Sequence, residues 1–187
     1  VYDLNAELNT NKLLKFFYSI NYDALLHDLN SYNGENNRLF KMYLCLLKML
    51  TGNVDDNSFN EFQKLYKYNR RLLSRSEKYN LYLMSMSLCG KLKCSSDGNY
   101  MCACFDIHKN ILMEKAYKPD DKGYMSERVY RAIVLAASLE KDFQWAEGFI
   151  QDYTIELPPE NREKLYNFAQ ANINFGLGKY AEAIKNL

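Results

Sequence analysis

The chain has 187 residues with 24 basic and 23 acidic side chains. It is long enough to bury a core and, at a net charge of +1, lacks the field that draws in nucleic acid or an anionic membrane. Hydrophobic residues at 48% and charged residues at 25% exclude disorder, and 3 prolines with 8 glycines are too few for the turn-dense pattern of an all-β fold.

No apolar run reaches the roughly 18 to 20 residues that cross a bilayer, because Lys48 interrupts even the stretch from Met42 to Leu50, so no membrane partner is expected. Five cysteines, an odd number without the spacing of a disulfide framework, point to a reducing, cytoplasmic setting. The chain opens on Val1 with no basic segment leading into an apolar one, as expected of a processed protein or a piece of a longer one.

In chain order, an apolar helix over 12–20 is followed after Asn21 by a second whose inner face is Tyr22, Leu25 and Leu29. A helix over 37–50 and a polar turn over 51–57 lead to Phe59, Phe62 and Tyr66, with Ser58 and Glu61 as a capping box. A helix over 79–92 and a break over 95–99 lead to Tyr100, Ala103 and Ile107. A helix over 126–139 and a break over 140–142 lead to Phe143, Ala146 and Ile150. Pro158 and Pro159 suit the start of a helix over 160–175, and a break over 176–179 leads to Tyr180, Ala183 and Leu187. Gly148 falls inside a helix and marks a close crossing or a weak spot.

Each triplet has the offsets zero, three and seven of one helical stripe, which predicts that all five are buried. The leading aromatics recur 37, 41, 43 and 37 residues apart, a period that belongs to stacked helix pairs. Ten helices in five pairs result.

The run Phe175, Gly176, Gly178, Tyr180, Ala183, Ile184 and Leu187 resembles the turn and second helix of a tetratricopeptide repeat. The preceding unit is similar: Tyr130, Ile133, Val134 and Ala137 suit that family's first helix, Phe143, Ala146 and Ile150 its second, and Pro158 falls where a unit often ends. The likeness is strong over 126–187 and topological before it, where Leu25 and Phe62 occupy the small-residue position and the spacing exceeds the family's usual ~34 residues.

The resemblance implies an all-α fold, an α-solenoid of about five antiparallel helix pairs wound into a right-handed superhelix over 1–187. That array is expected to continue past Leu187, and its apolar C-terminal end to be open to self-association. It further implies a non-enzymatic scaffold that holds a protein or peptide in a concave groove. Arg128 and Arg131 resemble the groove-facing basic residues of peptide-binding members, and Asn172 takes a comparable polar position in the next unit. Leu135 stands where clamp-type members carry a polar residue. Together these side chains suit a carboxylate or the backbone of an extended segment.

Other candidate chemistry is thinner. Cys89, Cys94, Cys102, Cys104 and His108 cluster in the sequence, but Cys102 and Cys104 lie about 200° apart on a helix, poor geometry for chelation, so no metal and no cofactor are expected. His27 and His108 have no nucleophile motif beside them and read as solvent-facing or locally bonded, and Asp120 with Asp121 reads as a polar turn after Pro119. The basic run Lys64, Lys67, Arg70, Arg71, Arg75 and Lys78 reads as solvated helix ends, with nucleic-acid binding as the alternative. A further alternative is a helical regulatory or docking piece of a larger enzyme whose catalytic residues lie outside the chain.

Overall fold

The computed structural model describes residues 38–51, 55–95, 100–118 and 123–186, and among their side chains those outside 51 and 90–102. The expected helix over 12–20, the triplet Tyr22, Leu25 and Leu29, His27, Asp120, Asp121 and Leu187 lie outside the described residues, as do the side chains of Cys94, Tyr100 and Cys102.

Among the described residues the regular structure is entirely helical: α1 (Arg38–Thr51), α2 (Asp56–Asn69), α3 (Arg75–Ser95), α4 (Tyr100–Met113), α5 (Glu127–Leu139), α6 (Phe143–Tyr153), α7 (Arg162–Gly176) and α8 (Tyr180–Lys185). Two 3-10 turns, Thr154–Glu156 and Pro159–Asn161, join α6 to α7, and Pro159 opens the second of them. None of the helices is long and apolar enough to cross a membrane.

The chain falls into two compact units, Val1–Asn69 and Arg70–Leu187. In the first, α1 packs on α2 through Met42, Leu46, Met49, Phe59 and Phe62. Asn69 is buried and donates to the carbonyls of Arg38 and Leu65, at 3.1 and 2.8 Å, so the end of α2 is tied to the start of α1. The Cys45 thiol donates to the Ser58 carbonyl at 3.4 Å, another tie between the two helices.

In the second unit α3 packs on α4, α4 on α5, and α5 on both α6 and α7, while α8 folds against α7. Its core is centred on α5, whose Tyr130, Ile133, Val134 and Ala137 are all completely buried. These positions follow the 3.6-residue period of one helix face, and burying each large apolar side chain is worth about 1.5 to 3 kcal/mol.

Local chemistry sets the helix ends. Ser126 accepts from the Val129 amide and caps α5, and Asp142 accepts from the Trp145 amide and caps α6. The capping box expected at Ser58 is absent: Asp55 is the cap of α2 and takes the Ser58 amide at 2.7 Å. A capping box does occur at the start of α3, where the Ser74 amide donates to Glu77 at 2.8 Å and the Glu77 amide to the Ser74 hydroxyl at 3.2 Å.

Three helices end in the same Schellman turn, with paired amide donations from Lys115 and Ala116 after α4, Lys141 and Asp142 after α5, and Gly178 and Lys179 after α7. The left-handed residue is glycine only in the last case. Lys115 and Lys141 hold φ of 51° and 58°.

The triplets are buried less uniformly than their spacing predicts. Phe59, Phe62, Ala146, Ile150 and Ala183 are buried, whereas Tyr66, Ala103, Ile107 and Phe143 are half-buried. Tyr180 is 60% exposed and meets the exposed Phe175 edge to face at 5.5 Å, so the first residue of the fifth triplet is a surface group. Burial of that position requires a neighbouring surface, and α7 alone does not supply one.

Of the two readings of Gly148, a close crossing or a weak spot, the crossing does not hold, since a β-carbon there would meet nothing within 4 Å; the close approach is at Gly176, where a β-carbon would fall on the Phe143 ring. Phe143 thus seats α6 on the backbone of α7, and any side chain at 176 would displace it.

The assigned helix faces make a direct stability prediction. Ala146 is fully buried and Ala181 exposed, so Ala146→Arg should cost at least about 3 kcal/mol through overpacking and a buried unpaired charge, and Ala181→Arg less than about 0.5 kcal/mol. Equal loss of melting temperature in the two variants would contradict the packing of α6 and α8.

Candidate functional site

With one side of α5 sealed in the core, its other side is fixed as surface. Arg128, Arg131, Ala132 and Leu135 fall at offsets zero, three, four and seven, one continuous stripe. Together with Glu127 they line an open cleft of about 540 Å³. Ser126 caps the helix that carries them, so the stripe starts at a defined point.

Arg131 is held in place from two sides. Its Nε donates to Glu127 Oε1 at 2.9 Å, one helical turn back, and its guanidinium lies 4.1 Å from the centre of the Phe168 ring on α7. Lys164 Nζ stands 3.6 Å from the same Glu127 oxygen. The Arg131 hydrogen bond, reinforced by the Lys164 charge, holds the Glu127 carboxyl below its usual range. Glu127 takes one of the five N–H donors of Arg131, and Phe168 fixes the plane in which the guanidinium lies.

Arg128 and Leu135 are exposed at the two ends of the stripe. The cleft therefore has basic groups at the N-terminal end of α5 and an apolar group at the C-terminal end. Asn172, the third expected site residue, does not line this cleft: its amide donates at 2.8 Å to the Phe168 carbonyl one turn earlier on α7.

The basic run has a different use. Arg70 and Lys78 both reach Glu114, at 3.4 and 3.0 Å, and Arg75 Nε donates to the Lys115 carbonyl at 2.7 Å. Three of the six cations are thus bound to the end of α4, where they satisfy a carboxylate and a terminal carbonyl rather than form an anion-binding face.

The cysteine and histidine cluster is largely interior. Cys89 and Cys104 are both buried on packed helices, and the hydrogen bond between them, together with burial, pushes the Cys89 thiol up. His108 is not solvent-facing: it is 0% exposed, and its Nδ1 lies 2.9 Å from the Tyr82 hydroxyl across the α3–α4 contact. Its Nε2 is buried with no hydrogen-bond partner. Among the described residues no three His, Cys, Asp or Glu side chains converge as a metal site needs.

No sequence signal announced the Tyr82–His108 pair, because its members lie 26 residues apart on different helices. The Arg131–Phe168 contact was within reach, since its 37-residue separation equals the spacing of Phe143 and Tyr180. No protein-family model matches the chain, and no curated protein or solved structure shows significant similarity to it.

Burial lowers the His108 pKa from 6.5 to about 4. The unfolded chain takes up this proton near its ordinary value and the folded chain only near 4, so the contribution is complete above about pH 7 and is lost as pH falls from about 6.5 toward 4. Between about pH 7.5 and pH 4.5 the loss is about 2 to 3 kcal/mol. Urea unfolding of a Tyr82→Phe/His108→Leu double variant should show a pH dependence weaker than that of the unaltered protein by this amount. Identical pH dependence in the two would place His108 in solvent.

Proposed function

We propose that this chain is a non-enzymatic scaffold, a tetratricopeptide-like α-solenoid that binds an extended, carboxylate-bearing protein segment along its α5–α7 face. The observation that carries the reading is the Arg128–Arg131–Leu135 stripe, with the Arg131 guanidinium held against Phe168 and Glu127. A preset guanidinium binds a carboxylate with little further ordering, and Leu135 gives the adjoining side chain an apolar contact.

The solenoid reading is supported by the register of contacts. Arg131 meets Phe168 at a separation of 37 residues, the spacing of the leading aromatics Phe143 and Tyr180 of the same two units. Equivalent positions of stacked repeats are expected to meet at one repeat length, here about 40. The packing of α5 on α7, the first helices of two successive units, has the same origin. A non-enzymatic role is favoured because His108, the histidine among the described residues, is enclosed in the core away from the cleft.

Fluorescence anisotropy with a synthetic extended peptide ending in Leu-Asp and a free carboxylate tests the groove. Saturable binding should weaken at least about 10-fold in Arg128→Ala and in Arg131→Ala, equivalent to about 1.4 kcal/mol, and in the amidated Leu-Asn peptide. Arg128 is exposed, so its loss leaves the fold intact. Equal affinity of the acidic and amidated peptides, or unchanged affinity in Arg128→Ala, overturns the reading.

A further inference from the structure

Gly148 lies in the middle of α6, where glycine is the least favoured residue after proline. Other glycines in this unit have a local reason: Gly176 makes room for the Phe143 ring, and Gly178 holds a φ of 76°. Gly148 has neither. A β-carbon built on it meets no atom of the surrounding chain within 4 Å.

The space beside it is a cleft of about 420 Å³ between α4 and α6, with Lys109, Met113, Trp145, Phe149, Asp152 and Tyr153 in its lining. The rings of Trp145, Phe149 and Tyr153 form a ladder on successive turns of α6, with centres 5.7 and 5.1 Å apart and planes only 6° and 19° from parallel. Met113, 73% exposed, stands on the α4 side. Lys109 is occupied, with Nζ 3.6 Å from Asp142 Oδ2 and 3.8 Å from the centre of the Phe105 ring. Asp152, exposed and one turn beyond Gly148, gives that end of the cleft a negative charge.

We propose that this cleft docks an amphipathic helix of a partner protein, with one bulky apolar side chain seated over the Gly148 backbone against the aromatic ladder and a lysine or arginine one turn along that helix paired with Asp152. The missing β-carbon lets that side chain approach the backbone of α6, and the flexible Met113 closes over it. Trp145 and Tyr153 supply large rigid contact area of the kind that dominates interfaces. An apolar anchor and a base four residues apart on a helix are separated by about 6 Å, the rise between Gly148 and Asp152. The cleft lies on α4 and α6, whereas the proposed carboxylate groove lies on α5 and α7, so either can fail alone.

Trp145 is the single tryptophan of the chain, and its fluorescence reports occupancy directly. The probe is a stapled helical peptide with a central leucine and a lysine four residues later, compared with a version carrying glutamate in place of that lysine. The lysine peptide should shift Trp145 emission saturably and bind at least 5-fold more tightly than the glutamate peptide, with the order reversed in Asp152→Lys. Gly148→Leu should weaken the lysine peptide at least 10-fold while melting no lower than the unaltered protein, because the new side chain fills the cleft from within. Gly148→Ala should melt higher. A lower melting temperature for Gly148→Ala would mean that the fold itself requires glycine there and would overturn the inference. So would unchanged peptide affinity in Gly148→Leu, or no saturable Trp145 response to either peptide.

Discussion

Everything described in the second unit depends on the double burial of α5, which packs on α4, α6 and α7. A helix covered on several sides by other helices must satisfy its apolar face with close-packed side chains and its ends with caps. Tyr130 shows how tight the requirement is: its ring meets Phe149 at 5.1 Å and its hydroxyl lies 2.9 Å from Thr154 Oγ1, which itself donates to the Ile150 carbonyl. The tyrosine thereby buries a large ring without leaving its hydroxyl unpaired, a loss that would cost about 1 to 3 kcal/mol. Once this face is committed, the helical period leaves Arg128, Arg131 and Leu135 no position except the surface.

The same commitment determines which polar groups are available to a partner and which are consumed by the fold. Lys118 Nζ reaches Glu156 Oε2 at 2.7 Å, Met125 donates its amide to the Glu156 carbonyl, and Arg162 donates to the carbonyls of Ile155 and Leu157. These bonds close the irregular connections on either side of the α5–α6 pair, where backbone groups would otherwise be unpaired. Arg70, Arg75 and Lys78 do similar work at the end of α4. Charge in this chain is therefore informative only with its partners: of the six basic residues between 64 and 78, read as solvated helix ends, three are found on Glu114 and the Lys115 carbonyl.

Much of the helical layout was legible because it rests on local rules. The break over 140–142 falls between α5 and α6 as read, Ser126 caps where a cap was needed, and Ala146 is buried as its offset from Phe143 requires. The rest depended on long-range contacts. Lysine at the left-handed position of a Schellman turn has no composition signal, since glycine is the residue normally sought there, and Lys115 and Lys141 adopt it because the six-to-one and five-to-two hydrogen bonds outweigh the strain. Tyr180 obeys the triplet pattern and is still exposed, because periodicity identifies the side of a helix and not whether anything covers it. At the candidate site, the family resemblance pointed to Arg128 and Arg131 and the repeat spacing put Phe168 within reach of Arg131, but the bond that ties Asn172 to the Phe168 carbonyl emerged only with α7 in place.

The aromatic ladder connects the two surfaces physically. Phe149 stacks between Trp145 and Tyr153 in the α6 cleft and also touches Tyr130, whose helix presents Arg131 on its other side. A close-packed chain of rings has little room to yield, so neither surface can deform without disturbing the core between them. Rigidity of this kind suits recognition, because a site already in its bound geometry loses little entropy on binding. It also explains why Gly148 stands out. In a layer where Tyr130, Phe149 and Ile150 are packed almost without exposure, a turn of helix left bare in a cleft is room that the core does not use.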